Sequence, residues 1–181
     1  MFLPQILFQN SKRWLVVSKP TGWSLTNRNG NSRTSVEEFL GPVMSEGSRI
    51  FFPLECDSRI NAITIACFDR GIQSQFEKIK LRREIQFKYR CLVTKIPDKM
   101  LGGIYSIDYI SELGGSEFEI DLRTRELLTM YTIKRLLGSH LINHNVSLFE
   151  LSFPDPLTPS SDEICIKIPA IPQTGWSFHS E

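Results

Sequence analysis

The stretch DSRINAITIACFD, residues 57–69, decides the reading of this chain. Asp57 leads directly into an apolar run, of which 61–67, rich in Ile and Ala, reads as a buried β-strand, and the run ends at a second acid, Asp69. A carboxylate at the lip of a core strand is costly unless it is solvated, paired or used. Working outward, LVVSKPTG at residues 15–22 gives a three-residue β run over 15–17, stopped by Lys19-Pro20 and the turn former Gly22. Downstream, residues 70–82 carry Ile72, Phe76, Ile79 and Leu81 in a helical stripe, and IQFKYRCLVT at 85–94 alternates as a strand does.

The remaining elements follow the same rules. SVEEFL at 35–40 is a short helix with Ser35 as N-cap and Glu38 three residues on. Residues 50–54 read as a short strand, FEIDL at 118–122 as an alternating strand, and 126–137 as a helix weakened by Thr129, Tyr131 and Thr132. Strands over 147–153 and 164–168 complete the set. NRNGNS at 27–32 is a turn-rich loop, and the pairs Gly102-Gly103 and Gly114-Gly115 mark hairpin turns. Strands outnumber helices and alternate with them irregularly. The expected fold is therefore α+β, a mixed and largely antiparallel sheet flanked by helices, in one domain over residues 1–181.

With 181 residues, 41% hydrophobic and 23% charged, the chain has the composition of a folded protein with a real core. Its net charge of +1 decides nothing about partners, but the basic residues are unevenly spread. Lys78, Lys80, Arg82, Arg83, Lys88 and Arg90 fall close together, offset only by Glu84, a density that suits a phosphate backbone or a solvated surface. Cys56, Cys67, Cys91 and Cys165 form no CxxC pair, and His140, His144 and His179 do not group with them, so no metal site is expected. Reduced thiols fit an intracellular compartment. No apolar run reaches the roughly 20 residues that span a bilayer, so no membrane partner is expected. MFLPQILFQN at the start lacks the charge and cleavage pattern of a secretory signal and is poor in Arg and Ser.

Taken together these motifs resemble the RluA-type pseudouridine synthases. Lys19, Pro20 and Gly22 match the V-x-x-KP-x-G core near the start of that family, and Asp57 falls on the catalytic aspartate of its HRLD motif. Ala62 takes the following glycine position, 63–65 the apolar run and Asp69 the closing acid. FKYRCLV at 87–93 matches K-x-Y-x-A-L-V through Tyr89, and LFELSFPDPLT at 148–158 resembles the late strand and proline turn. The resemblance is collective and covers about residues 6–172.

It implies isomerisation of uridine in RNA to pseudouridine, without metal or cofactor, on a nucleotide taken out of the stack. Asp57 would be the catalytic carboxylate, and Tyr89 would stack on the flipped uracil. Arg125 would be the basic partner that keeps Asp57 charged, with Arg59, Lys134 and Arg135 behind it. Lys19, Arg82, Arg83, Lys88 and Arg123 would bind the RNA substrate. The tone of the motifs resembles the fungal mitochondrial large-subunit rRNA enzymes. That implies rRNA or a ribosome precursor as partner, a monomeric or ribosome-associated state, and a mitochondrial location, otherwise a cytoplasmic or nuclear one.

The departures are equally specific. Leu54 and Glu55 replace the His and Arg of HRLD, and Ile60-Asn61-Ala62 replaces TSG. Of R-T-H-Q-I-R only Arg123 and Thr124 remain, and its closing arginine, the aspartate's usual partner, is Leu128. The glycine-rich segment that follows in the family is collapsed between Gly138 and Val146. Two functions therefore stand: an active, divergent synthase, or an inactive relative that binds RNA in ribosome assembly or structure.

Overall fold

The computed structural model describes residues 3–27, 34–44, 49–97, 105–158 and 163–168. Eight strands form one sheet in the order β1-β2-β3-β7-β4-β6-β5, with β8 also on β7. They are β1 (Gln5–Ser11), β2 (Trp14–Lys19), β3 (Asn61–Cys67), β4 (Gln86–Val93), β5 (Tyr105–Gly114), β6 (Glu117–Thr124), β7 (Leu141–Pro154) and β8 (Glu163–Lys167). All pairings are antiparallel except β3 with β7. The helices are α1 (Val36–Leu40), α2 (Arg70–Leu81) and α3 (Met130–Leu137). The expected α+β class, a mixed and largely antiparallel sheet with helices against it, is what the chain adopts. Among the described residues no helix is long and apolar enough to cross a membrane.

The parallel contact in this sheet sits next to Asp57. β3 meets β7 only through Asn61↔Ser147 and Ala62↔Leu148. Further along, β7 pairs instead with β8, from Glu150↔Lys167 to Pro154↔Glu163. The sheet is therefore lightly stitched at the start of β3, immediately after the turn that carries Asp57.

The main core lies between the sheet and the pair α2 and α3. Ile72, Phe76 and Ile79 of α2, and Met130, Ile133 and Leu137 of α3, pack with Trp14, Ile63, Ile65, Phe87 and Tyr89. α2 starts where Asp69 accepts the Ile72 N–H at 3.0 Å, so the second acid of the opening segment is a helix cap. A smaller cluster on the other face of β2 and β3 joins Leu15, Val17 and Ala66 to Val36 and Leu40 of α1. α1 starts at Ser35, whose hydroxyl accepts the Glu38 N–H at 3.2 Å, as its sequence required.

Several expectations need correction. Residues 50–54 form no strand; Phe51 makes only an isolated bridge to Cys67. The helix expected from 126 begins at Met130, because the amides before it bond elsewhere. Glu126 N–H goes to the Thr124 hydroxyl at 3.0 Å and Leu128 N–H to the Tyr89 hydroxyl at 2.8 Å, leaving Thr129 as N-cap. β7 starts six residues before the run at 147. β1 and β5 had no strand assigned to them, although the Gly114-Gly115 turn between β5 and β6 is present, with both residues at positive φ. The Gly102-Gly103 turn and most of the 27–32 loop lie outside the described residues.

Candidate active site

The two motifs that carried the resemblance are in contact, and the contact explains both. Lys19, at the end of β2, is fully buried, and its ammonium donates to Ile60 O at 2.7 Å and, longer, to Ser58 O and Pro20 O at 3.4 Å. Gly22, held at φ 85°, gives its N–H to Ser58 O at 2.8 Å. The KP-x-G turn thus clasps the carbonyls of the 57–60 turn, which is itself closed by Ile60 N–H to Asp57 O at 3.1 Å. Burial lowers the Lys19 pKa to about 8. A lysine so enclosed holds protein backbone; it is not placed to touch RNA phosphate, as had been expected of it.

That clasp sets Asp57. Its side chain is only 9% exposed and accepts hydrogen bonds from four N–H groups. One oxygen takes Arg59 N and Nε, each at 3.0 Å. The other takes Arg59 Nη2 at 2.7 Å and Met130 N, the first amide of α3, at 3.0 Å. The Arg59 fork, opposed by partial burial and helped by the two amides, holds the carboxyl well below the usual carboxylate range. Asp57 is therefore an anion at any physiological pH and a weak base. It suits nucleophilic attack, or electrostatic stabilisation of a developing positive charge, better than proton abstraction.

The guanidinium at Asp57 comes from Arg59 and not from Arg125. Arg125 turns away and donates to Arg83 O at 3.4 Å. Leu128, where the family's arginine would stand, is buried in the core. Two residues after Asp57, a side chain that starts in the same tight turn reaches back to both carboxylate oxygens, a geometry invisible to strand-period reasoning. Its one trace in the sequence is the short D-x-R spacing; Arg59 stood with Lys134 and Arg135 among the alternatives behind Arg125.

Tyr89 lies beneath the same loop. It is 1% exposed, and its hydroxyl accepts the Leu128 N–H at 2.8 Å, two residues before the amide that holds Asp57. Burial raises its pKa well above the ordinary phenol value. The ring expected to stack on uracil is enclosed in the core, where it supports the approach to α3. Cys56, half-buried beside Lys19, has its thiol pushed up to about 11 by desolvation.

The basic stretch is split by strand alternation. Arg82 and Arg83 end α2 on the side where α2 and α3 pack. Arg83 pairs with Glu126 at 3.3 Å and Lys80 reaches Pro53 O at 3.4 Å, which brings this end of α2 to both segments flanking Asp57. Lys88 and Arg123 sit opposite one another on β4 and β6, one residue out of phase with Tyr89 and Leu122, so they face the other way. There Lys88 pairs with Glu150 at 3.0 Å, Arg123 with Asp108, Arg90 with Asp121 at 2.9 Å and Glu119 at 3.2 Å, and Lys167 with Glu150 at 3.0 Å. These four cations meet four carboxylates along an open groove of about 470 Å³. The groove is self-neutralised. Lys88 and Arg123, expected at the substrate, are therefore placed away from Asp57.

The fold that carries this aspartate, on its clasped turn at the seam of a mixed sheet, has counterparts among solved structures. Two solved structures of that fold superpose on almost the whole chain. One is human RNA pseudouridylate synthase domain containing 4, at TM-score 0.64 and 12% identity, covering 91% of this chain and 87% of that one. The other is human RNA pseudouridylate synthase domain containing 1, at TM-score 0.63 and 10% identity, covering 92% and 83%. At such identity the likeness is one of fold. No protein-family model matches the sequence, and no curated protein matches it.

Proposed function

We propose that this chain is a divergent RluA-type pseudouridine synthase that isomerises uridine in rRNA, with Asp57 as the catalytic carboxylate. The observation that carries the reading is the setting of Asp57: ionised, nearly enclosed, fixed by the α3 amide, and paired to a guanidinium that is itself 59% exposed. The reaction needs an anion aimed at the sugar while the bond from uracil nitrogen to C1′ breaks. Uracil then turns, its carbon bonds to C1′, and the proton displaced from that carbon ends on nitrogen, so nothing is gained or lost. Arg59 holds Asp57 in the free protein. Arg59 stands mostly in water, so an incoming nucleotide can draw the guanidinium toward its own phosphate while the Arg59 and Met130 amides keep Asp57 in place. Arg82 and Arg83 would hold flanking phosphates. A mitochondrial rRNA target is the version the motif tone favours.

A second reading has its own observation. All four hydrogen bonds to Asp57 also make sense as structure, since an aspartate that accepts the N–H two residues on is a common turn device. On this reading the chain is an inactive relative that binds RNA in ribosome assembly. A pseudouridine map of total and organellar RNA separates the two, comparing cells with the wild-type chain and with Asp57→Ala. Loss of one or a few sites supports catalysis. An unchanged map, with protein present and deletion harmful, leaves the binding role.

A further inference from the structure

We propose that Tyr131, with Arg135 behind it, is the platform on which this protein stacks an unpaired RNA base beside Asp57. The inference rests on the RNA-directed reading of the site and adds a contact that the sequence motifs assigned elsewhere. Tyr89 cannot supply that surface, being enclosed in the core. Tyr131 is 68% exposed, a large ring left in water on the first turn of α3. It directly follows Met130, whose N–H is 3.0 Å from Asp57 Oδ2. Side chains on a helix lean toward its N-terminus and cover the preceding turn, so the ring of Tyr131 leans toward the end where Asp57 lies.

The rest of that helix face supports the same ligand. Met130, Ile133 and Leu137 are the buried side of α3. Tyr131 and the exposed Arg135 stand four residues apart on the opposite side, one turn from each other. An aromatic ring one turn from a guanidinium is the arrangement that takes a base on its face and the adjoining phosphate on its charge. Arg59, the exposed partner of Asp57, flanks the same end of the helix.

The test is binding of the intact chain to a short uridine-rich oligoribonucleotide, measured by anisotropy across a salt series. Tyr131→Ala is expected to weaken binding about tenfold with the salt slope unchanged, because stacking releases no counterions. Tyr131→Phe and Tyr131→Trp are expected to bind as the wild type does. Arg135→Gln is expected to lower the slope instead. Because the ring is exposed, these variants are expected to fold, and a far-UV spectrum of each checks this independently. Wild-type binding by Tyr131→Ala, equal loss in Tyr131→Phe, or no binding of the probe by the wild type overturns the platform. The catalytic reading is judged apart, by the Asp57→Ala map: an unchanged map with a tenfold loss in Tyr131→Ala keeps the platform and removes the reaction.

Discussion

Two carboxylate–arginine forks in this molecule have nearly the same geometry and opposite settings. Asp57 takes Arg59 at 2.7 and 3.0 Å, and Asp121 takes Arg90 at 2.9 and 3.0 Å. Arg90 is fastened between strands: it also meets Glu119 and lies over the Phe149 ring at 4.4 Å. Arg59 stands in water on a turn, and its carboxylate keeps a second hold through the Met130 amide. Fork geometry therefore does not mark function. A pair whose cation can leave while its anion stays fixed can be used by a ligand, whereas a pair locked into a balanced sheet face serves the fold.

Asparagine at each acid puts this contrast under the greatest load. Asp57→Asn keeps the shape but removes the anion. Pseudouridine formation is expected to fall on the order of 10⁴-fold, with a stability cost of about 1–3 kcal/mol because an amide cannot accept from all four N–H groups. Asp121→Asn is expected to leave activity within about twofold and to cost about 1–3 kcal/mol in denaturant unfolding, since a mostly enclosed guanidinium loses one of its carboxylates. Reversed outcomes would make Asp57 the structural acid and point away from catalysis.

The next contrast is between the buried cation under the site and the exposed ones around it. Lys19 has a folded-state pKa lowered to about 8 against an ordinary 10.5, so the folded state binds fewer protons than the unfolded state between those values. Stability attributable to Lys19 therefore rises with pH through that window: the charged ammonium is penalised below about 8, and the penalty is relieved as it deprotonates. Three thiols act the opposite way above their ordinary pKa of 9.0, with Cys56 and Cys67 pushed up to about 11 and about 12 and Cys91 pushed higher still. Cys67 and Cys91 cancel between wild type and Lys19→Met; Cys56 is coupled to Lys19, so the comparison is made with Cys56→Ser in both. The wild type is expected to gain up to about 3 kcal/mol on Lys19→Met between pH 7.5 and 10.5. A flat difference would mean that water reaches the ammonium and that the clasp is looser than its three carbonyl contacts suggest.

Much of this was legible in the chain, and the failures share a cause. Period and punctuation located β3, β4, β6 and α2, because each buries one regular face. The resemblance singled out LVVSKPTG and DSRINA, the two halves of the clasp, without indicating that they touch, and the purpose of Lys19 was misread, since a cation beside a proline turn reads as exposed until the carbonyls it meets are known. Tertiary hydrogen bonds shortened α3 through the Tyr89 hydroxyl, and no local pattern encodes that. The split of the basic stretch was available in principle: Lys88 and Tyr89 are neighbours on a strand and must face opposite ways. Assigning both to one site was the avoidable error. The replacement of Leu128 by Arg59 was not readable, because it depends on how tightly residues 57–60 turn.

That error supplies the subtlest way to test the two faces against each other. On the proposed reading, RNA held at the Asp57 side would release counterions from phosphates at Arg82 and Arg83, each contact contributing roughly 0.7–0.9 to the slope of log affinity against log salt. The pair Arg82→Gln and Arg83→Gln is expected to lower that slope by about 1.5, with affinity falling alike for any sequence. Arg83 also loses its pair with Glu126, but that pair is exposed and contributes little. The pair Lys88→Gln and Arg123→Gln is expected to leave the slope unchanged, because both cations already face carboxylates across the other side of the sheet. A slope that drops in the second pair and holds in the first would carry the RNA over the self-neutralised groove, and the chemistry assigned to Asp57 would lose its substrate.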